Sequence, residues 1–162
     1  MPSTLIDENV PSVTLNERLD GENLSHTTAQ LCAGQKVVLF AVPAAYTPTC
    51  SNKHLPGFEA AYEEFKQLGV DRVICLSVND AWVMSAWGEF LGIKKVQLLG
   101  DGNADFTQAL GLQQDLSKAG FGLRSKRYSM FINDGVIEQA FVETKGFEVS
   151  DAQTMLDYLQ AS

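Results

Sequence analysis

The chain has 162 residues, 45% of them hydrophobic and 20% charged, a size and composition typical of one compact domain with a substantial core. Twenty acidic residues against 12 lysines and arginines give a formal net charge of −8, which disfavours binding to nucleic acid or to an anionic membrane. No apolar run approaches the roughly 18 residues of a membrane helix, and Met1–Asn9 is acidic where a signal peptide is basic, so we expect a soluble, cytoplasmic protein.

The first third of the chain predicts a strand, a short helix and a stronger strand. Val10–Leu15 is a weak first strand, and Ser25–Thr28 offers several caps for a short helix, Ala29–Ala33. Lys36–Val42 is a nearly continuous apolar run with β-branched and aromatic residues, which is typical of a central strand buried on both faces. The fold is also predicted to carry an N-terminal extension.

The next predicted element is an amphipathic helix. Apolar residues follow helical spacing over Gly57–Leu68, and Gly69 is the predicted stop. Pro56 lacks an N–H and crowds the turn before it, so the turn that holds Cys50 is predicted to be a short segment before a kink or a new helix start. Such a turn can unwind at modest cost.

The rest of the chain continues to alternate between predicted strands and helices, and it ends in a hairpin and a helix. The predicted strands are Arg72–Val78, Lys95–Leu99, Arg127–Ile132 and Val136–Val142. The predicted helices are Ala81–Leu91, Ala104–Leu110 and Asp151–Leu159. Asn133-Asp134-Gly135 is a strong hairpin signal between the last two strands, and Ser150 with Gln153 predicts a capping box for the last helix.

This order of elements predicts an α/β protein with a thioredoxin-like fold. Strand–helix–strand units favour parallel pairing, whereas the hairpin requires antiparallel pairing. We therefore expect a mixed central sheet that is parallel in its first part and antiparallel at one edge, with helices on both faces. Residues 1–162 are predicted to form a single domain of this kind.

Cys50 is the candidate nucleophile. It lies where the strand Lys36–Val42 leads into the amphipathic helix, and free amides at a helix start together with the helix dipole favour a thiolate. The thiolate is the form of cysteine that attacks electrophiles. A lone cysteine is more often a buried packing residue, which is the preferred interpretation of Cys75 and Cys32.

Reduction of a peroxide by Cys50 also requires a polar anchor and a cation. Thr47, three residues earlier, can place its hydroxyl beside the sulfur, and Pro43 can shield the thiolate from water. Arg127 is the preferred cation and Arg124 its competitor. Thr47 could equally be a turn-forming cap, and Arg127 an ordinary surface arginine.

The other reactive side chains give no metal or disulfide pattern. His54, four residues after Cys50, is interpreted as structural, because a thiolate held by an arginine and amides needs no base. There is no C-x-x-C pair, and the two histidines lack ligand spacing with the thiols, so we predict no metal and no cofactor. An odd number of cysteines also argues against a secreted disulfide scaffold.

The pattern Pro43-x-x-x-Thr47-x-x-Cys50 resembles the active-site motif of the peroxiredoxins, and the following residues are similar to the type II, or peroxiredoxin V-like, subfamily. The strings that carry the subfamily resemblance are Thr47-Pro48-Thr49-Cys50-Ser51, His54-Leu55-Pro56, Cys75-Leu76-Ser77-Val78-Asn79-Asp80, Gly120-Phe121-Gly122 and Arg127-Tyr128-Ser129-Met130. They span nearly the whole chain, which also resembles the peroxidase half of bacterial peroxiredoxin–glutaredoxin hybrids.

The resemblance implies an antioxidant thiol peroxidase that reduces hydrogen peroxide and organic hydroperoxides. It implies that Cys50 is the peroxidatic cysteine and becomes a sulfenic acid, that Thr47 and Arg127 activate it, and that Pro43 shields it. It also implies a thioredoxin fold and a homodimer packed near the active-site loop and the region Asn79–Trp87.

The sequence favours a one-cysteine cycle. Phe141–Ser162 contains no cysteine that could resolve the sulfenic acid, and Cys75, the remaining candidate, lies within a predicted strand. An external thiol, from glutathione and glutaredoxin or from thioredoxin, would then reduce Cys50. The alternative interpretation is a redox-sensing or chaperone-like interaction protein that uses Cys50 as a switch without turnover.

Overall fold

The computed structural model describes residues 5–162. The strands are β1 Thr14–Leu19, β2 Glu22–Thr27, β3 Lys36–Ala41, β4 Arg72–Ser77, β5 Gln97–Gly100, β6 Gln113–Asp115, β7 Leu123–Ser125, β8 Tyr128–Asn133 and β9 Val136–Val142. The helices are α1 Thr28–Cys32, α2 Leu55–Ala60, α3 Tyr62–Gln67, α4 Ala81–Leu91, α5 Asp105–Ala109 and α6 Ala152–Ala161, with a π-helical turn at Cys50–His54 and a 3₁₀ turn at Ser117–Ala119. Residues 1–4 lie outside the described residues. The prediction that Met1–Asn9 is not a signal peptide falls partly on them.

Seven strands form the main sheet in the order β2-β1-β5-β4-β3-β8-β9, and β6 with β7 forms a separate ribbon. The pairs β3–β4 and β4–β5 are parallel, and the pairs outside them are antiparallel. The predicted mixed sheet is therefore confirmed. Within residues 5–162, none of the helices has both the length and the apolar character needed to span a membrane.

The hairpin β1–β2 forms a second antiparallel edge, which the sequence did not predict. Its outer strand, Glu22–Thr27, is polar and largely exposed, so it has no apolar run to reveal it. The inner strand begins at Thr14, four residues after the predicted start at Val10. Residues 14–27 thus contribute two strands to the sheet, where the sequence predicted one.

Helices cover both faces of the sheet, as predicted. Alternate residues of β3 belong to different hydrophobic clusters, with Val38 and Phe40 on one face and Val37 and Leu39 on the other. The first cluster includes residues of α2, α3, α4 and α6, and the second includes residues of α1 and α5. Cys50 lies in the first cluster, fully buried.

The helix predicted over Gly57–Leu68 is divided in two. The backbone at Ala61 (φ −90°, ψ 2°) separates α2 from α3, although Phe65 N–H still donates to Ala61 O at 3.1 Å. Before α2, Leu55 N–H donates to Cys50 O across five residues, which makes the turn π-helical. Pro56 is the second residue of α2, consistent with the predicted change of helical path near Cys50.

The predicted capping box of the last helix was also wrong. Asp151, not Ser150, is the N-cap of α6, and its side chain accepts a hydrogen bond from Thr154 N–H. The Ser150 hydroxyl instead donates to Glu143 Oε2 at 2.7 Å. A partner seven residues earlier in the chain thus replaces the helix cap that the sequence suggested.

A close backbone approach fixes the loop before Cys50. A Cβ atom at Gly100 would lie 2.6 Å from Asn79 O, so the end of β5 can pack here only without a side chain. Asn79 Oδ1 in turn accepts hydrogen bonds from Ala45 N–H at 3.1 Å and from Ser77 Oγ at 2.7 Å. The sheet therefore holds the loop that precedes the thiol.

Candidate active site

The π-helical turn holds Cys50 inside the protein at the end of the loop that follows β3. Two hydrogen bonds fix this turn: Ser51 N–H donates to Thr47 O at 2.9 Å, and Trp87 Nε1–H donates to Ser51 Oγ at 2.9 Å. Trp87 is fully buried in α4, whereas Trp82 of the same helix is 58% exposed. The tryptophan nearest the thiol is therefore part of its structural support.

Arg127 reaches the sulfur from the other side of the fold. Its Nη2 donates to Cys50 Sγ at 3.1 Å, which places a permanently charged guanidinium in direct contact with the sulfur. Arg127 directly precedes β8, and Ala41 at the end of β3 pairs with Tyr128. This register brings the arginine to the same end of the sheet as the loop carrying Cys50.

Arg124, the competing cation, makes different contacts. Its Nη1 donates to Val78 O at 2.8 Å and its Nε donates to Phe121 O at 2.9 Å. The first bond connects β7 to the loop after β4, and the second lies within the chain around the start of β7. The geometry therefore brings Arg127 to the sulfur and uses Arg124 to hold a loop.

His54 holds Nη1, the other terminal nitrogen of the Arg127 guanidinium. Arg127 Nη1 donates to His54 Nδ1 at 3.0 Å, and His54 Nε2 lies 2.9 Å from Ser150 O. Because a carbonyl oxygen can only accept, Nε2 carries the proton and Nδ1 is free to accept. Burial and then the Arg127 charge lower the pKa of His54 to about 3, although the Ser150 bond opposes this, so His54 is neutral.

Sequence reasoning did not find this contact between His54 and Arg127. The spacing of four residues between Cys50 and His54 was the available signal, because it places both side chains on one side of a helical turn. The arginine that joins them lies 77 residues from Cys50 in the chain. Local spacing could therefore suggest a position for His54 but could not identify its partner.

Thr47 and Pro43 lie in the loop before Cys50, and both are partly exposed. The Thr47 hydroxyl donates to Ala44 O at 2.7 Å, which orients its oxygen and leaves lone pairs that can accept a further hydrogen bond. Tyr46, the residue before Thr47, has a positive φ of 69°. The loop thus turns sharply immediately before the hydroxyl.

The other two cysteines are buried in packing positions. Cys75 is fully buried in β4, paired in register with Phe40 and Leu98. Burial and then the charge of an ionised Cys50 raise the pKa of Cys75 well above its ordinary value, and Arg127 offsets only part of this rise. Burial raises the pKa of Cys32 to about 11. All three cysteines, which lie within the described residues, are free thiols.

A cleft of about 640 Å³ adjoins the site. Its lining includes Pro43 and Thr49 of the loop before Cys50, and Arg127, which contacts the sulfur. Its apolar lining residues are Leu5, Leu110, Leu112, Val142 and Phe147. The cleft can therefore hold a molecule much larger than hydrogen peroxide close to the guanidinium.

Comparison with known proteins gives consistent matches over nearly the whole chain. A protein-family model described as Redoxin matches residues 6–156. Peroxiredoxin sll1621 of Synechocystis is 49% identical, over 96% of this chain and 91% of that protein. Hybrid peroxiredoxin hyPrx5 of Haemophilus influenzae is 40% identical, over 97% of this chain and 67% of that protein. The crystal structure of reduced Prx3 in complex with H₂O₂ from Vibrio vulnificus is 46% identical, with a TM-score of 0.91, over 95% of this chain and 98% of that chain.

Proposed function

This chain belongs to the peroxiredoxins, within the redoxin family, and from that membership we propose that Cys50 is the peroxidatic cysteine of this peroxidase. The observation that carries the assignment is the 3.1 Å contact between Arg127 Nη2 and Cys50 Sγ. A buried sulfur beside a permanently charged guanidinium is suited to react as an anion. The proposed roles of the surrounding residues follow from this contact.

In the proposed reaction, the Cys50 thiolate attacks one oxygen of the peroxide. The S–O bond forms as the O–O bond breaks, and the electron pair leaves with the other oxygen, which takes up a proton and departs as water or an alcohol. The sulfur is oxidised to a sulfenic acid and the peroxide is reduced by two electrons. Arg127 stabilises the charge on the reacting oxygens, Thr47 orients the O–O bond, and Pro43 keeps water from the thiolate.

We propose that organic hydroperoxides are substrates together with hydrogen peroxide. The cleft of about 640 Å³ beside Pro43, Thr49 and Arg127 supports this, because it offers apolar walls next to the guanidinium. A hydroperoxide with an apolar body could place that body against Leu110 and Leu112.

The proposed reductant is an external thiol, from glutathione with glutaredoxin or from thioredoxin. The thiol adds to the sulfenic acid of Cys50 with loss of water, and a second thiol releases the cysteine from the mixed disulfide. The burial of Cys75 and the lack of cysteine in Phe141–Ser162 support an external donor. The resemblance to the peroxidase half of hybrids favours glutaredoxin.

Peroxide consumption by the purified protein tests these proposals. We expect turnover of hydrogen peroxide and cumene hydroperoxide when NADPH oxidation is coupled through at least one system, glutathione/glutaredoxin or thioredoxin/thioredoxin reductase. Assays that omit either the protein or the final thiol donor are the controls. If Cys50 is oxidised once and no donor supports turnover, the redox-switch interpretation replaces the enzymatic cycle.

We also propose a homodimer that packs through aromatic side chains near the active-site loop. Tyr46, Trp82 and Phe90 are 49%, 58% and 72% exposed, and the Tyr46 and Phe90 ring centroids lie 5.7 Å apart. Exposed aromatic side chains of this kind are enriched in protein interfaces. Their position on the loop and on α4 supports the partner surface that the family resemblance implies.

Substitution of Phe90 by glutamate should convert this dimer to monomers, because a carboxylate would have to be desolvated in an apolar interface. Sedimentation velocity at several protein concentrations measures the change. Gln67→Glu, at the exposed end of α3, adds the same charge and should leave the dimer intact. A wild-type protein that sediments as a monomer at all concentrations would contradict the proposal.

The proposed compartment is the cytoplasm, where thiols are kept reduced. Three free cysteines support this assignment. Detection of the protein mainly outside the cytoplasmic fraction of its source cells would contradict it.

A further inference from the structure

Glu143 is a buried carboxylate, 9% exposed, at the start of the loop that follows β9. A single oxygen, Oε2, accepts hydrogen bonds from Glu148 N–H at 2.9 Å, Val149 N–H at 2.8 Å, Ser150 N–H at 2.8 Å and Ser150 Oγ at 2.7 Å. Three consecutive backbone amides thus converge on one anionic atom. Burial raises the pKa of Glu143, but the bonds from Ser150, Val149 and Glu148 outweigh it and lower the pKa overall.

The loop closed by Glu143 carries two groups that contact His54. Ser150 is held through both its N–H and its hydroxyl, and its carbonyl oxygen accepts from His54 Nε2 at 2.9 Å. Phe147, in the same loop, has its ring centroid 4.9 Å from that of His54 and 5.8 Å from Arg127 Cζ. The position of this loop therefore sets both the tautomer of His54 and the packing around its ring.

Glu143 also contacts Arg127 through the backbone. Its N–H donates to Arg127 O at 2.9 Å, where β9 ends beside the start of β8. The same residue thus holds the main chain of Arg127 and, through Ser150 and His54, one nitrogen of its guanidinium. The remaining terminal nitrogen is the one that donates to Cys50 Sγ.

We propose that Glu143 is a positioning residue for peroxide reduction, acting through Ser150 and His54 to hold Arg127 against the Cys50 sulfur. The inference rests on the proposed function, because it assigns Arg127 a role in the attack on peroxide. If the loop is released, Ser150 O no longer fixes the proton on His54 Nε2. A proton on Nδ1 would face the Arg127 N–H donor and remove the acceptor that anchors it.

The test compares Glu143→Gln, which keeps the side-chain volume, with Glu143→Ala and with the control Glu63→Gln, an exposed glutamate paired with Lys95. Stopped-flow oxidation of the reduced protein by hydrogen peroxide measures the rate constant for Cys50. We expect the rate constant to fall about tenfold in Glu143→Gln and further in Glu143→Ala. Losses of this size are typical when a residue that positions a reacting side chain, without touching the substrate, is replaced. The control should react like the wild type.

A second measurement separates positioning from simple loss of stability. Nitrogen-15 NMR of the histidine ring should show His54 with the proton on Nε2 throughout the pH range 5 to 8 in the wild type and a mixture of tautomers in the Glu143 variants. A folded Glu143→Gln variant with the wild-type oxidation rate and the wild-type His54 tautomer would overturn the proposal, even if Glu143→Ala did not fold. If the wild type itself reduced no peroxide, the proposed function would fail, while the tautomer measurement would still test the link from Glu143 to His54.

Discussion

Substitution of Cys50 by serine should abolish peroxide consumption, with a loss of at least about a thousandfold in rate, as expected when a catalytic nucleophile is removed. A serine hydroxyl is not ionised at neutral pH, so the guanidinium of Arg127, 3.1 Å from the sulfur in the native protein, would have no anion to stabilise. An oxygen in place of sulfur also cannot become a sulfenic acid. Coupled NADPH oxidation measures the loss of peroxide consumption. Intact-mass analysis after one equivalent of peroxide measures the loss of sulfenic acid formation.

Cys75→Ser and Cys32→Ser are the matched controls, since each also removes one buried thiol. Both variants should keep most of the activity, because burial raises the pKa of either thiol and disfavours its reactive anion. If Cys75→Ser formed the Cys50 sulfenic acid normally but did not turn over, Cys75 would be the resolving cysteine. If Cys50→Ser retained peroxidase activity, the proposed role of Cys50 would be wrong.

The part of the site that is local in sequence could be predicted, because its geometry depends on one loop and one turn. Pro43, Thr47 and Cys50 lie within eight residues, and the apolar strand before them fixes where the loop begins. Pro56 likewise indicates a change in helical path near the thiol. These are short-range effects that backbone chemistry determines.

The contact between Arg127 and Cys50 depends on strand register. The hairpin signal Asn133-Asp134-Gly135 predicts β8 and β9, but it does not predict that Tyr128 pairs with Ala41. That pairing is set by the packing of alternate side chains against both faces of the sheet. The sequence could therefore identify Arg127 as a candidate but could not predict its distance from the sulfur.

Polar residues account for the main errors in the predicted elements. Ser150 has the sequence context of a helix cap, yet its hydroxyl and N–H bind Glu143 across a loop. Strand β2, Glu22–Thr27, is an exposed edge whose hydrogen bonds to β1 do not require apolar residues. The two-residue turn Asp20-Gly21, in which both residues have positive φ (52° and 81°), joins β1 to β2, so the signal for this hairpin was local and the sequence reasoning missed it.

Substitution of Arg127 by alanine should slow the oxidation of Cys50 by peroxide about 10²- to 10³-fold, the effect expected when one preorganised donor to a developing charge is lost. The variant loses the bond to Cys50 Sγ and leaves His54 Nδ1 without its donor. Because the proposed role of the guanidinium is to stabilise the departing oxygen in the transition state, we expect the loss at neutral pH and also at high pH. Stopped-flow measurement of the Cys50 oxidation rate from pH 6 to pH 9 tests both the size of the loss and its persistence at high pH.

Arg124→Ala is the matched control, since it removes the same charge three residues away. Its guanidinium bonds to Val78 O and Phe121 O, so its removal should loosen a loop and reduce the oxidation rate much less. Equal losses in the two variants would mean that overall positive charge near the cleft, rather than the directed contact at 3.1 Å, accelerates the reaction. A rate for Arg127→Ala that equalled the wild-type rate at high pH would contradict transition-state stabilisation by Arg127, because that stabilisation is missing from the variant at every pH.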